Sequence, residues 1–159
     1  MPVRLETDTI GMLLTDVSRL LRGAFDRRIT ASALGVTPGE ARALIQVAAT
    51  EGIKQAEIAI RMGIEPMTLS TYLDRLEGLG LVERVPDPCD RRAKNVVVTD
   101  KADTLLLDIR REVRDLMDQV TLGLDAEGLE ALRASLKGLR DNLQQLDRCA
   151  SSDKKSVSE

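Results

Sequence analysis

Residues 55–80 read QAEIAIRMGIEPMTLSTYLDRLEGLG, and the spacing of apolar residues and glycines in this stretch decides the fold. A short helix is expected from about Lys54 to Met62, with Ala56, Ile58, Ala59 and Met62 as its inner face. Gly63 breaks it. A longer helix is expected from about Glu65 to Leu79, where Leu69, Leu73 and Leu76 recur at helical spacing as the inner face. Gly78 and Gly80 close it, and its N-terminal end carries the polar, mostly small residues Thr68, Ser70, Thr71 and Tyr72.

Two helices about a glycine turn have two readings. One is a helical hairpin packed in a core. The other is a helix-turn-helix whose second helix enters the major groove of duplex DNA, which is about 12 Å wide and admits one α-helix. In the second reading Thr68 and Thr71 can bond bases or phosphates, and the free N–H groups and dipole of the helix N-terminus favour a phosphate. The residues C-terminal to Gly80 favour this reading. Leu81–Val85 and Asn95–Val98 are short strand signals, and residues 86–94 between them, PDPCDRRAK, form a loop rich in proline and charge. A β-hairpin with a long basic tip beside a recognition helix can reach the minor groove, where narrow A·T-rich stretches concentrate negative potential. Asp90 lies two positions before Arg92, a spacing at which a carboxylate can orient the guanidinium. A solvated turn is the alternative for Asp90, Arg91 and Arg92 taken alone; directly after a helix-turn-helix it is the weaker one.

Upstream, a first helix is expected from about Asp8 to Ala33, striped by Ile10, Leu13, Leu14, Val17, Leu20, Leu21 and Ala24, with Gly35 as its stop. Thr37-Pro38-Gly39-Glu40 is a capping box with proline at the first helical position, and it opens a helix to about Thr50 that Gly52 ends. Downstream, one helix spans about Lys101 to Leu122, punctuated by Gly123 and Asp125. The last carries Leu129, Leu132, Leu136, Leu139, Leu143 and Leu146, a heptad seam. Residues 151–159 are polar and are expected to be a disordered tail. The organisation expected is therefore a terminal helix in 1–35, a winged helix-turn-helix in 36–100 and two helices in 101–150. A chain of 159 residues cannot readily bury both terminal stripes on one small winged domain. A homodimer covers them, with Ile10, Leu13, Leu136, Leu139, Leu143 and Leu146 as interface candidates, and sets two recognition helices about 34 Å apart, one turn of DNA. Intramolecular core is the other reading of such a seam.

Composition excludes several functions. There is no histidine, which removes the commonest general base and metal ligand. There is no phosphate loop, no nucleophile elbow and no metal-ligand cluster, so neither catalysis nor a cofactor is expected. Cys89 and Cys149 form no CxxC pair, and two lone thiols suit a reducing cytoplasm. Met1 to Ile10 lack the pattern of a signal peptide, and no apolar run approaches the roughly 20 residues of a membrane span. One Phe and one Tyr cannot build a stacking platform for single strands or RNA. The net charge of −3 argues against nucleic acid only until its distribution is considered. Arg84, Arg91, Arg92 and Lys94 outnumber Asp87 and Asp90 around the loop, whereas the chain from Lys101 onward is net acidic. Phosphate attraction is local, screened over about 10 Å.

The stretch Val36 to Leu107 resembles the MarR family of regulators, and within it the SlyA-like branch. The residues that carry the likeness are Thr37 to Leu44, Gln55 to Ala59, Leu73 to Arg84, Asp90 to Lys94 and Val98 to Ala102. The resemblance implies a triangular dimer whose first and last helices form a platform for two winged domains. It implies that Met67, Thr68, Thr71 and Tyr72 face the major groove, with Pro66 at the helix start, and that Arg92 enters the minor groove with Asp90 as buttress. Arg75 and Arg84 fall at phosphate-contacting or supporting positions, and an intramolecular pair is favoured for Arg84. Many relatives carry a long donor where Thr71 stands, so this chain departs from the family in its base-reading residues. With Ser70, Arg91 and Lys94 these make up the expected DNA surface.

The resemblance further implies release of DNA by a small, often aromatic, acid bound between platform and winged domain. Leu14, Val17, Leu21, Phe25, Ala41 and Ile45 are candidate lining residues, and Arg19 or Arg22 a partner for a ligand carboxylate; plain core and surface charge are their other readings. Cys89 is the candidate thiol for oxidant sensing, and Cys149 is expected to be a frayed thiol at a helix end. A winged module that binds protein instead of DNA is the remaining alternative.

Overall fold

The computed structural model describes residues 8–153, with side chains to residue 148. Residues 1–7 and 154–159 lie outside it, and with them most of the segment read for a signal peptide, the end of the expected tail and, among side chains, Cys149. The chain divides into two units, one through Leu116 and one from Met117.

In the first unit, α1 (Ile10–Ser32) starts at Thr9, whose hydroxyl accepts the Met12 N–H. It ends at Ala33 in the left-handed region, φ 50°, rather than at Gly35. α2 (Pro38–Ala49) opens with the expected capping box: Glu40 N–H donates to Thr37 Oγ1 at 3.3 Å, and Thr37 N–H donates to Glu40 Oε2 at 2.8 Å. A two-residue strand, β1 (Ile53–Lys54), stands where the sequence suggested the start of a helix; α3 (Gln55–Met62) begins one residue later. β1 forms because the free edge of a later strand pairs with it, Ile53 opposite Val96, and two residues are too few to show an alternating pattern. Ile58, Ala59 and Met62 are buried as expected, but Ala56 is exposed. At Gly63, φ 62°, the helix turns over: Gly63 N–H donates to Ile60 O and Ile64 N–H to Ala59 O, each at 3.1 Å.

α4 (Pro66–Gly78) buries Leu69, Leu73 and Leu76 completely in the same cluster as Leu44, Val47 and Ile58. β2 (Val82–Pro86) and β3 (Lys94–Val98) form the hairpin, with Val82 opposite Val98 and Pro86 opposite Lys94, and the antiparallel sheet order is β1-β3-β2. After a 3₁₀ turn, Asp100–Ala102, comes α5 (Asp103–Val120), whose Ile109 and Leu116 are buried. The fold is mainly helical with a small antiparallel wing, the winged helix-turn-helix expected from the sequence.

The second unit holds the end of α5, a turn with Gly123 at φ 90°, and α6 (Ala126–Asp153), which is capped by Asp125 accepting the Gly128 N–H at 2.8 Å. α6 continues three residues into the segment read as tail. None of its described side chains is buried, and Leu132, Leu136, Leu139, Leu143 and Leu146 are exposed. No helix among the described residues is long and apolar enough to cross a membrane.

Tyr72 packs against Gly39, where a Cβ would stand 2.6 Å from the phenol oxygen. On an unhindered helix, Gly→Ala adds about 1 kcal/mol of stability. Here overpacking, worth about 1–3 kcal/mol, reverses the sign. Gly39→Ala is expected to lower the urea midpoint, and Tyr72→Leu in that background to recover part of it. A midpoint raised by Gly39→Ala alone would show that Tyr72 is not seated there.

Candidate nucleic-acid interface

Burial of the leucine face of α4 turns the opposite face to solvent. Pro66, Met67, Thr68 and Thr71 are all exposed, Met67 by 84%. Ser70 is half-buried. A groove of about 840 Å³ separates α3 and the start of α4 from the wing, and Pro66 and Ser70 line it with Lys54, Arg92 and Lys94. The structure therefore brings two of the expected wing cations and the start of the recognition helix to one cleft. Arg91 is exposed beside them at the wing tip.

The wing tip is built from a chain of local bonds. Asp87 N–H donates to Ala93 O at 3.1 Å, closing the loop. The Asp87 carboxylate, which is buried, accepts the Cys89 N–H at 2.7 Å and the Asp90 N–H at 3.0 Å through Oδ1. Its Oδ2 lies 3.7 Å from Lys54 Nζ of β1. Ala93 N–H donates to Asp90 O at 3.0 Å, so Arg91 and Arg92 occupy the centre of a four-residue turn and project outward. The Asp90 carboxylate accepts the backbone N–H of Arg92 at 3.0 Å. Asp90 was expected to orient the Arg92 guanidinium; in the structure its carboxylate bonds the main chain of the turn instead, and no bond to the Arg92 guanidinium is present among the described residues. A two-residue spacing suits the Asx turn better than a side-chain pair, because the carboxylate reaches the N–H two residues on without bending the chain back.

Other expected contacts are engaged within the chain. Tyr72 is half-buried against Gly39 and the core rather than facing the groove. Thr71 Oγ1 donates to Met67 O at 3.1 Å, which occupies its hydroxyl proton within the helix. Arg75 Nε lies 3.3 Å from Oε1 of the buried Glu40, so the residue that caps α2 also holds α4, while the Arg75 side chain stays 59% exposed. Arg84 pairs with Asp74 and with Glu77, the latter at 3.6 Å, as its intramolecular reading required. The N-terminus of α4 is a poorer anion site than its dipole suggests: Pro66 removes one N–H, and Glu65, which also lines the groove, sets a negative charge there.

Asp87 and Lys54 were not singled out in the sequence as parts of the site. In the sequence Asp87 counted only among the charges of the loop, whereas in the structure it is buried and bonded. The spacing Asp87-Pro88-Cys89-Asp90 held the signal, since aspartate favours bonds to N–H groups two and three residues on. Cys89 is a free, exposed thiol.

The candidate effector residues do not form one site. Ala41 is fully buried, and Phe25 and Ile45 pack against the core. Leu14, Arg19 and Arg22 line a shallow groove on the outer face of α1. Val17 is exposed and Leu21 half-buried. Of these candidates, Ile45 alone lines the larger apolar cleft of about 780 Å³ between α2 and α5, with Ala48, Ala49, Leu106, Leu107 and Val113 as walls and Asp103 and Arg110 as its charged residues.

A three-stranded wing packed on a helix-turn-helix, with cations across from an exposed recognition helix, defines a winged-helix DNA-binding protein. The chain belongs to the MarR family of transcriptional regulators, whose family model matches residues 36–94. It is 33% identical to the solved transcriptional regulator PA3341, covering 86% of this chain and 99% of that one at a TM-score of 0.73. A MarR-family regulator from Rhodococcus sp. RHA1 is 26% identical, covering 86% and 96% with a TM-score of 0.72. MarR from E. coli is 25% identical, covering 85% and 98% with a TM-score of 0.69. This is a DNA-binding regulator, and its family acts by binding rather than by catalysis.

The Cys89 N–H is the chief influence holding the Asp87 carboxyl below its ordinary 3.8; burial opposes it, and the Asp90 N–H, the Lys54 ammonium and the Asn95 side chain assist. A folded pKa below the unfolded one means that the carboxylate contributes fully above the unfolded value, and the contribution is lost as pH falls through the folded one. The amide resonances of Cys89 and Asp90 are therefore expected to stay constant from neutral pH down to about pH 5 and to titrate together with a midpoint below 3.8. A midpoint above 3.8 would contradict the bonding described.

Proposed function

We propose that the chain acts as a homodimeric repressor that occludes a pseudo-palindromic duplex site, with α4 in the major groove and the wing in the flanking minor groove. The observation that carries this reading is the single cleft on which Pro66 and Ser70 of α4 meet Arg92 and Lys94 of the wing. Met67, Thr68 and Thr71 read bases; Arg91, Arg92 and Lys94 supply charge; Asp90 shapes the turn. Arg75 reaches phosphate from its pairing with Glu40, and Tyr72 supports the helix from behind. The motifs at Leu79–Arg84 and Asp90–Lys94 support assignment to the SlyA-like branch.

The N-terminal helix in 1–35 and the helices in 101–150 serve as the dimerisation platform, and 36–100 as the DNA-binding domain. The support is the apolar surface these helices leave uncovered: Ile10, Leu13, Leu136, Leu139, Leu143 and Leu146 are all exposed in the single chain. An effector acid occupies the apolar cleft between α2 and α5, its carboxylate on Arg110, and releases DNA by favouring a dimer whose recognition helices are mis-spaced. A second reading, docking of a protein on the α3–α4 face, draws support from Ile60 and Met67, which are 74% and 84% exposed.

Selection from a random duplex library at near-physiological salt tests both. Enrichment of a two-fold motif with half-sites about one turn apart, and affinity that falls log-linearly with salt, are expected. No enrichment at any salt would favour protein docking. Arg92→Ala is expected to weaken the selected duplex about tenfold or more without altering the oligomer; unchanged affinity would sink the wing assignment. Leu143→Glu should convert dimers to monomers in sedimentation analysis, and a dimer that persists would refute the terminal-helix interface.

A further inference from the structure

Asp87 joins three segments of the winged domain. Its carboxylate bonds the N–H groups of Cys89 and Asp90, its own N–H closes the tip onto Ala93, and its second oxygen faces Lys54 at the start of α3. Pro88 has no N–H to offer, so the two amides that Asp87 holds are the first two donors of the tip. The turn that presents Arg91 and Arg92 begins at Asp90, one of those two residues. Lys54 pairs with Asn95 across the β1–β3 ladder, so the contact ties the wing base to the helix-turn-helix and not merely to itself.

We propose that Asp87 is a positioning residue for DNA recognition, setting the turn from which Arg92 reaches the duplex and its placement relative to α3. It touches no DNA; it acts through Asp90 and Lys54. This rests on the proposed role of the wing in DNA binding. A carboxylate is suited to the task because it accepts several bonds at once and remains charged opposite Lys54, whereas a hydrophobic residue at the same site would leave two tip N–H groups without partners.

The test is a double-mutant cycle with Asp87→Ala and Arg92→Ala on a selected duplex, accompanied by Asp87→Asn and by hydrogen exchange of the tip amides in the DNA-free protein. In Asp87→Ala the amides of Cys89, Asp90, Arg92 and Ala93 should lose protection while those of α2 and α4 keep theirs. Affinity should fall about as far as in Arg92→Ala, and adding Arg92→Ala should weaken it little further, because the two changes remove one function. Asp87→Asn, which keeps the acceptor oxygen, should recover most of the protection and affinity. Additive losses, or full affinity in Asp87→Ala when Arg92→Ala is impaired, would overturn the proposal; so would retained tip protection. If the wild-type protein selects no duplex, the DNA reading fails on its own, and loss or retention of tip protection still decides whether Asp87 holds the turn.

Discussion

Leu69, Leu73 and Leu76 of α4 lie wholly buried against the cluster that contains Leu44, Val47 and Ile58. Burying each leucine is worth roughly 1.5–3 kcal/mol, so the three together are comparable to the roughly 5–15 kcal/mol by which a whole domain is stable. A helix buries one face only by turning the other outward. The constraint that holds α4 in place therefore also exposes Met67, Thr68 and Thr71 as a set. Stability of α4 and exposure of this face are one geometric fact here.

Two buried carboxylates extend that order beyond the core. Glu40 closes the capping box of α2 and faces Arg75 on α4; Asp87 closes the wing tip and faces Lys54 on β1. A buried polar group is costly unless it is bonded, and each of these accepts main-chain N–H bonding on one oxygen and faces a cation with the other. Each also bridges two elements, so α2 is registered against α4 and the wing against the start of α3. The basic side chains around the wing then divide into two kinds. Arg84 is 13% exposed and consumed by Asp74 and Glu77, while Arg91 and Lys94 are exposed and Arg92 lines the groove beside them. A local basic surface survives on an acidic chain because internal carboxylates pair with the cations that support the fold and leave those of the wing outward.

The terminal helices obey a different constraint. α6 spans 28 residues without a buried side chain among those described, and α1 buries only Ile29. Long helices draw most of their stability from packing of an apolar face. The leucine seam of α6 and the N-terminal part of α1 accordingly present the surface that the proposed second copy covers.

The sequence alone determined the helices, the hairpin and the capping box, because these depend on residues three or four apart and on backbone rules that glycine and proline announce locally. Leu69-Leu73-Leu76, Thr37-Glu40 and the Asp-Pro-rich loop each carried their own signal. What a side chain does once formed into its element depended on neighbours distant in the chain. Tyr72 looked like a groove residue and is seated on Gly39; Ala56 looked inward and is exposed; β1 exists only because β3 passes beside it. Phe25, Ala41 and Ile45 looked like one ligand wall, yet packing sent Ala41 into the core and opened the apolar cleft on the α5 side of α2. Periodicity tells which face of a helix is apolar. Only the tertiary fold decides what that face meets, because the partner surface comes from residues tens of positions away.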